Sequence, residues 1–241
     1  MEELENYGDK RIEEVVTSLG TNLGSGLSKE EAERRLAFYG RNQLIEEKPR
    51  GFLAMFLDQF KDFLVLILIA STVIAALMGE LLDAAVIMFI VVANAVLGFV
   101  QEYRAEKALE SLRRLSAPTA RVVRGGRERV IPARDLVPGD LVLLEAGDRV
   151  AADARVLEAH GLQADEASLT GESTGMDKNA AALPGEDIPI GDRTNMVFAG
   201  THIVHGRGSA LVVETGRYSE LGRIAEMIGE AEEERTPLQR E

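Results

Sequence analysis

Cysteine is absent from this 241-residue chain, and only three histidines occur in it. The first absence excludes disulfides and any thiolate metal-capture site, and it suits a reducing cytoplasm. The second leaves little from which to build a metal centre. His202 and His205 stand three apart on an expected strand, so they project to opposite faces and make poor joint ligands. Positive charge is also in short supply: 27 Lys and Arg face 40 Asp and Glu, a formal net charge of −13. Such an acidic chain is ill suited to nucleic acid, whose binding depends on neutralising phosphates.

Charge of either sign is missing from Phe63 to Gly79 and again from Ala84 to Val100, with Glu80 and Asp83 the charged residues between. Each run falls slightly short of the ~20 residues that a helix needs to span a bilayer. Flanking turns at Phe56–Phe60 and Gln101–Tyr103, or local thinning of the bilayer, make up the difference. A buried soluble hairpin is the other reading, but two such runs in succession rarely suit a soluble core. No cleavage pattern follows the first run, and some sixty residues precede it, so it is not a signal peptide. Lys48, Arg50 and Lys61 flank the entry, Arg104, Lys107, Arg113 and Arg114 the exit, and the connecting loop carries only acids. The positive-inside bias then places both termini in the cytoplasm, with the chain in the cell membrane as two antiparallel spans.

Ile12, Val15, Val16 and Leu19 recur at helical spacing. Ser28 with Glu31 three residues on forms a capping-box signature for a second helix that ends at Gly40, with Ala32, Leu36 and Tyr39 as its inner stripe. Phe52, Met55, Phe56, Leu57 and Phe60 alternate with polar residues, as in a helix lying at a membrane surface. Beyond the second run, Ala105, Ala108, Leu109 and Leu112 stripe a continuing stalk on which Glu110 is spaced to pair with Arg114.

From Ala117 the pattern changes to strands and turns. Thr119–Arg124 and Arg129–Ile131 flank Gly125-Gly126, a hairpin signal. Leu141–Glu145, Ala154–Ala159, Met196–Val204 and Ser209–Thr215 continue as short strands, suggesting a compact β sandwich or distorted jelly roll. Glu220–Ile228 returns to helix and Glu230–Arg235 reads as a solvated charged tail.

The sequence Thr170-Gly171-Glu172-Ser173 stands within Asp165-Glu-Ala-Ser-Leu-Thr-Gly-Glu-Ser. On its own it is also what an ordinary exposed turn looks like. Around it, in order, stand Asp135-Leu-Val-Pro-Gly-Asp140, Gly147-Asp-Arg-Val-Ala-Ala-Asp153, Asn195-Met-Val-Phe-Ala-Gly-Thr201, Thr215-Gly216 and Ser219-Glu-Leu-Gly-Arg-Ile224. Together these resemble the actuator domain of P-type ATPases. Upstream, Gly26–Ala32 and Tyr39-Gly-Arg-Asn42 are similar to that family's cation-pump N-terminal segment, and Asn94–Ala108 to its second membrane helix and stalk.

The resemblance implies an α+β membrane protein fragment: a transmembrane helical hairpin plus a β-rich distorted jelly-roll actuator domain with accessory N-terminal helices. Its expected parts are an N-terminal helical segment over 1–50, a hairpin over 51–103 with helices at about 56–79 and 82–103, a stalk over 104–116, the actuator over 117–228, and an acidic linker over 229–241. In the family an aspartate is phosphorylated by ATP and the actuator loop later enters to hydrolyse the acyl phosphate. Glu172 would then orient the attacking water and take its proton, Thr170 and Ser173 would shape the loop through hydrogen bonds, and Gly171 would let the backbone approach. Gly175-Met176 replace the Pro-Val common after this motif, and Ala151 stands where proline is frequent.

No Asp-Lys-Thr-Gly-Thr sequence occurs among the 241 residues, nor any later nucleotide-binding region. The chain is therefore expected to be inactive alone. It would bind no cofactor itself, with magnesium and ATP implied only for the complete pump. The implied partners are the bilayer, the remaining regions of the pump, and a transported cation. Asp58–Phe63 and the Asn94 helix look most like type II pumps, with calcium favoured over sodium/potassium or protons. A freestanding actuator subunit and a non-catalytic membrane-anchored interaction module are the alternatives.

Overall fold

The computed structural model describes residues 7–44, 51–115, 118–171, 174–185 and 188–233, the side chains at 53, 54, 110–115 and 229–233 excepted. The chain divides into two compact units, residues 47–117 and the segments that flank them.

In the flanking unit, seven strands form one antiparallel network: β1 (Thr119–Arg124), β2 (Arg127–Pro132), β3 (Leu141–Glu145), β4 (Asp153–Asp165), β5 (Met176–Asp177), β6 (Met196–Val197) and β7 (His202–Glu214). The order is β2-β1-β3-β7-β4-β5, with β6 also on β4. Gly125-Gly126 make the β1–β2 turn, closing on the Arg124↔Arg127 pair.

The middle of this sheet is buried on both faces, and the alternation along each strand shows how. Val142, Val156, Val197, Ala210 and Val212 enter one apolar cluster. Their neighbours Leu141, Leu157, Phe198, Leu211 and Val213 enter another, together with Val15 of α1 (Ile12–Ser18). Successive strand side chains point to opposite faces, so a continuous apolar run can serve two cores at once. The second helix, α2 (Lys29–Tyr39), is capped by the Ser28 side chain, which accepts from the Glu31 amide. Ala32 and Leu36 pack with Leu27 and Val137. Tyr39, expected on the same stripe, is instead 43% exposed at the last residue of the helix, its ring set edge-on to that of Phe38.

Two strand expectations are corrected. Met196–Val204 is not one strand: β6 stops at Val197, where the Ala199 amide turns to the Asp153 carboxylate and the Thr201 hydroxyl donates to the Phe198 carbonyl. Ser209–Thr215 is the second half of β7, which begins at His202 and stays paired with β4 through several register shifts. The final helix, α7 (Glu220–Glu233), runs past the expected end at Ile228, since Glu and Ala continue a helix readily.

The other unit contains α3 (Phe52–Asp58), a 3₁₀ turn at Gln59–Lys61, α4 (Phe63–Leu77) and α5 (Leu81–Leu115). Where one helix over about 56–79 was expected, the chain breaks at Asp62, whose carboxylate caps α4 by accepting from the Leu64 amide. The two pieces meet at a bend of 72°. Gln59 donates to Glu102 at 2.6 Å, and Phe99 meets Phe52 with ring centroids 4.4 Å apart, which docks α3 on α5. Residues 81–109 of α5, which include an 18-residue stretch of mean hydropathy 2.3, are long and apolar enough to cross a membrane; α4 meets that test only when joined to the bent segment before it. Phe63, Leu77, Leu82 and Phe89 are exposed. The expected Glu110–Arg114 pair falls outside the described side chains.

Candidate functional site

β4 delivers the chain to the motif. Asp165 ends the strand and accepts from the Ala167 amide at 3.0 Å. Glu166 then caps a single helical turn, α6 (Ala167–Thr170). Its carbonyl takes the amides of Leu169 and Thr170 at 2.9 and 3.0 Å and the Thr170 hydroxyl at 3.1 Å. Gly171 closes the turn in the left-handed region at φ 78°, with open space where a side chain would stand. Any L side chain is strained in that conformation.

The chain returns as β5, pairing Met176 with Ala164 and Asp177 with Gln163. The Gln163 amide group donates to the Asp177 carboxylate at 2.8 Å, and the Lys178 backbone amide to the Leu162 carbonyl at 2.8 Å. The segment between is thus a tongue whose two stems are sewn side by side onto the sheet. Of the four residues singled out from the sequence, Thr170 and Gly171 sit at the end of the outgoing stem. Glu172 and Ser173 lie outside the described residues.

Beneath the tongue is a pair that the motif did not suggest. Lys178 Nζ lies 2.6 Å from Glu166 Oε1, and both side chains are wholly buried. Burial pushes the Glu166 carboxyl up and the Lys178 ammonium down, while their mutual attraction pulls each back. The ammonium also reaches the Arg193 carbonyl at 3.3 Å and lies 5.7 Å from the Phe198 ring centre. Glu166 Oε1 meets the ammonium as an ion pair without hydrogen-bond geometry, and Oε2 is buried without a hydrogen-bond partner among the described residues.

Two further polar centres tie the unit together. Arg155, fully buried, donates to the carbonyls of Val156, Asn195, Ala180 and Ala181 and to that of Lys10 in the N-terminal segment. Burial pulls its guanidinium down to about 10. Asn195 donates to Gly8 and Ala181, each at 2.7 Å. The second centre gathers at the start of α7. Asp153 accepts the Ala199 and Glu220 amides, Glu214 pairs with Arg223 at 2.7 Å, and Glu220 meets Arg193 and Arg223 at 3.1 and 3.2 Å. Burial lifts Asp153 to about 6 and Glu214 to about 7. The only trace of these roles in the sequence is an ionisable residue set among apolar ones, as in Ala152-Asp153-Ala154-Arg155-Val156.

Residues 114–229 match the P-type ATPase actuator domain, and residues 7–75 the N-terminal domain of cation transporters and ATPases. The chain belongs to the P-type ATPase family. Among relatives of this P-type ATPase chain, a calcium-transporting ATPase of Bacillus subtilis is 43% identical over 227 residues, 94% of this chain and 26% of the relative. Calcium-transporting ATPase 1 of Bacillus cereus is 41% identical over 98% of this chain and 27% of its own length. A sodium/potassium exporting P-type ATPase of Saccharomyces cerevisiae is 36% identical over 94% of this chain and 21% of its own length. The chain thus spans about a quarter of the length of the relatives it matches. Among the described residues of this P-type ATPase region, no group of three acidic or histidine side chains is arranged to hold a metal ion.

Proposed function

We propose that this chain acts as the actuator and first membrane segments of an ATP-driven calcium pump, and that Glu172 serves hydrolysis of the aspartyl phosphate formed elsewhere in that pump. The observation that carries the reading is the tongue: the stems that precede and follow the Thr170–Ser173 motif in sequence are paired in the sheet, and Gly171 at the end of the outgoing one is left-handed. Such a loop can enter a partner's site without disturbing the fold behind it. In the reaction, water attacks phosphorus and the bond from phosphorus to the aspartyl oxygen breaks. The carboxylate departs with the electron pair, and the water's proton passes to Glu172. Thr170 and Ser173 hold the loop's shape.

On the same reading the units cooperate through the membrane. Residues 81–109 form one span, and the bent pair Met55–Lys61 and Phe63–Leu77 forms the other, both termini remaining cytoplasmic. The sheet would curl into the distorted jelly roll of the family. Calcium is the preferred ion because the two bacterial relatives named above are calcium-transporting. Magnesium and ATP would bind the remainder of the pump.

The test is to co-express the chain with the remaining three-quarters of the Bacillus subtilis relative and follow decay of the phosphorylated intermediate. Decay should be restored by the chain and slowed about 10²-fold by Glu172→Gln. Equal decay with Glu and Gln would overturn the role given to Glu172. The chain alone should form no acyl phosphate, which ATP labelling of purified protein checks.

A further inference from the structure

We infer that Glu166 and Lys178 are positioning residues: their buried ion pair clamps the two stems of the tongue at a fixed separation and so sets where Glu172 is presented. The inference rests on the catalytic reading of the tongue given above.

The geometry is specific. Glu166 is the first residue after the outgoing strand stem and Lys178 the first after the returning one, so their contact closes the neck of the segment between. Glu166 also makes the local structure of the outgoing stem, because its carbonyl accepts three hydrogen bonds from α6. Lys178 is held from a third direction by the Arg193 carbonyl. Gly191, two residues before Arg193, lies so close to Thr170 that an added Cβ would stand 3.3 Å from the threonine methyl. The clamp therefore ties together the outgoing stem, the returning stem and the 190–193 segment.

Stability alone does not account for a pair of this kind. Removing two charges from water is costly, and an apolar pair of similar size commonly holds a core as well or better. What an apolar pair lacks is direction. An ammonium paired with one carboxylate oxygen and hydrogen-bonded to one carbonyl sets the separation of the segments that carry them, whereas packed methylenes slide. A water-positioning carboxylate needs such placement, since a displacement of about 1 Å can cost 10²-fold in rate.

The test separates position from stability with the double substitution Glu166→Met and Lys178→Met, which removes the tie without leaving a buried charge unpaired. Hydrogen exchange of the full chain in lipid nanodiscs should show β3 and β7 amides protected as before. The amides of Leu169, Thr170, Gly171 and Lys178 should exchange at least tenfold faster. In a chimaera of the Bacillus subtilis relative carrying this chain, phosphoenzyme decay should slow at least tenfold, and Lys178→Arg, which keeps the charge, should recover part of it. If the double variant does not fold, Glu166→Gln is read in the same way. Unchanged exchange at those four amides in a folded variant overturns the clamp. So does unchanged decay in a chimaera whose decay Glu172→Gln does slow. Should Glu172→Gln leave decay unaltered, the catalytic reading fails by itself, and the exchange result still decides whether the pair clamps the neck.

Discussion

Gly206 shows how one residue can govern a long stretch of sheet. It lies in β7 at φ 73°, and a Cβ there would run into the backbone carbonyl of Gly161 in β4, where the strand register shifts. Gly206→Ala combines left-handed strain with overpacking against atoms that cannot rotate away. It should lower stability by about 3 kcal/mol or more. Gly125→Ala, at a similar φ of 60° but in open space, should cost only about 1–2 kcal/mol. Urea denaturation of both variants measures the contrast, and equal losses would show that the close approach to β4 contributes nothing. At this scale the sequence was only partly legible. Thr170 and Gly171 stand out because they belong to a motif, and Ser28 because its capping chemistry is local. Glu166, Lys178 and Arg155 gave little sign of themselves, because what makes them matter is burial against residues distant in sequence. Arg155 meets a carbonyl 145 residues away.

At the scale of elements, α7 is held at its start by charge more than by apolar area, and the Met227 and Ile228 side chains are exposed. Asp153 caps it from β4, while Glu214 and Glu220 share Arg223, and Arg193 adds a second cation. Folded Asp153 and Glu214 keep their protons up to about pH 6 and 7, above the ordinary values of 3.8 and 4.5. Between about pH 4 and 7 the folded protein therefore binds more protons than the unfolded chain. Their contribution to stability then falls as pH rises through that window and levels off above it. Acidifying from pH 7.5 to 5.5 should raise the melting temperature of the sheet unit by on the order of 5 °C. Asp153→Asn with Glu214→Gln should flatten the profile, and a melting temperature that fell on acidification would contradict this account. The strands carry the same lesson in legibility. Leu141–Glu145 was readable from its turns, whereas β7 looked like two strands because Gly206 and Gly208 interrupt its apolar pattern. The break at Asp62 was hidden too, since an aspartate before a long apolar run reads as a flank until its carboxylate is seen capping the next helix.

The molecule as a whole is one domain interrupted by another. Asn42 donates through its backbone to the Arg134 carbonyl and through its side chain to that of Ala133, and the Ala133 amide donates to the Pro118 carbonyl. The chain therefore leaves the sheet unit and re-enters it at nearly the same place. Replacing residues 45–117 by a Gly/Ser linker of about six residues should yield a soluble protein with a single cooperative unfolding transition, checked by sedimentation and calorimetry. Deleting residues 1–46 instead removes Val15 from its cluster and takes the Lys10 and Gly8 carbonyls away from Arg155 and Asn195. That variant should lose several kcal/mol or fail to fold.

The bond from Asn195 to the Gly8 carbonyl spans 187 residues of sequence. At a synthesis rate of about 5–20 residues per second, roughly 10–40 s separate the ribosome's making of one partner from the other. During that interval the N-terminal segment has no sheet to join, and Ile12, Val15 and Val16 stay uncovered while the most apolar stretch of the chain is being produced. Ile12, Val15 and Val16 are thus among the first apolar residues made and among the last to be covered.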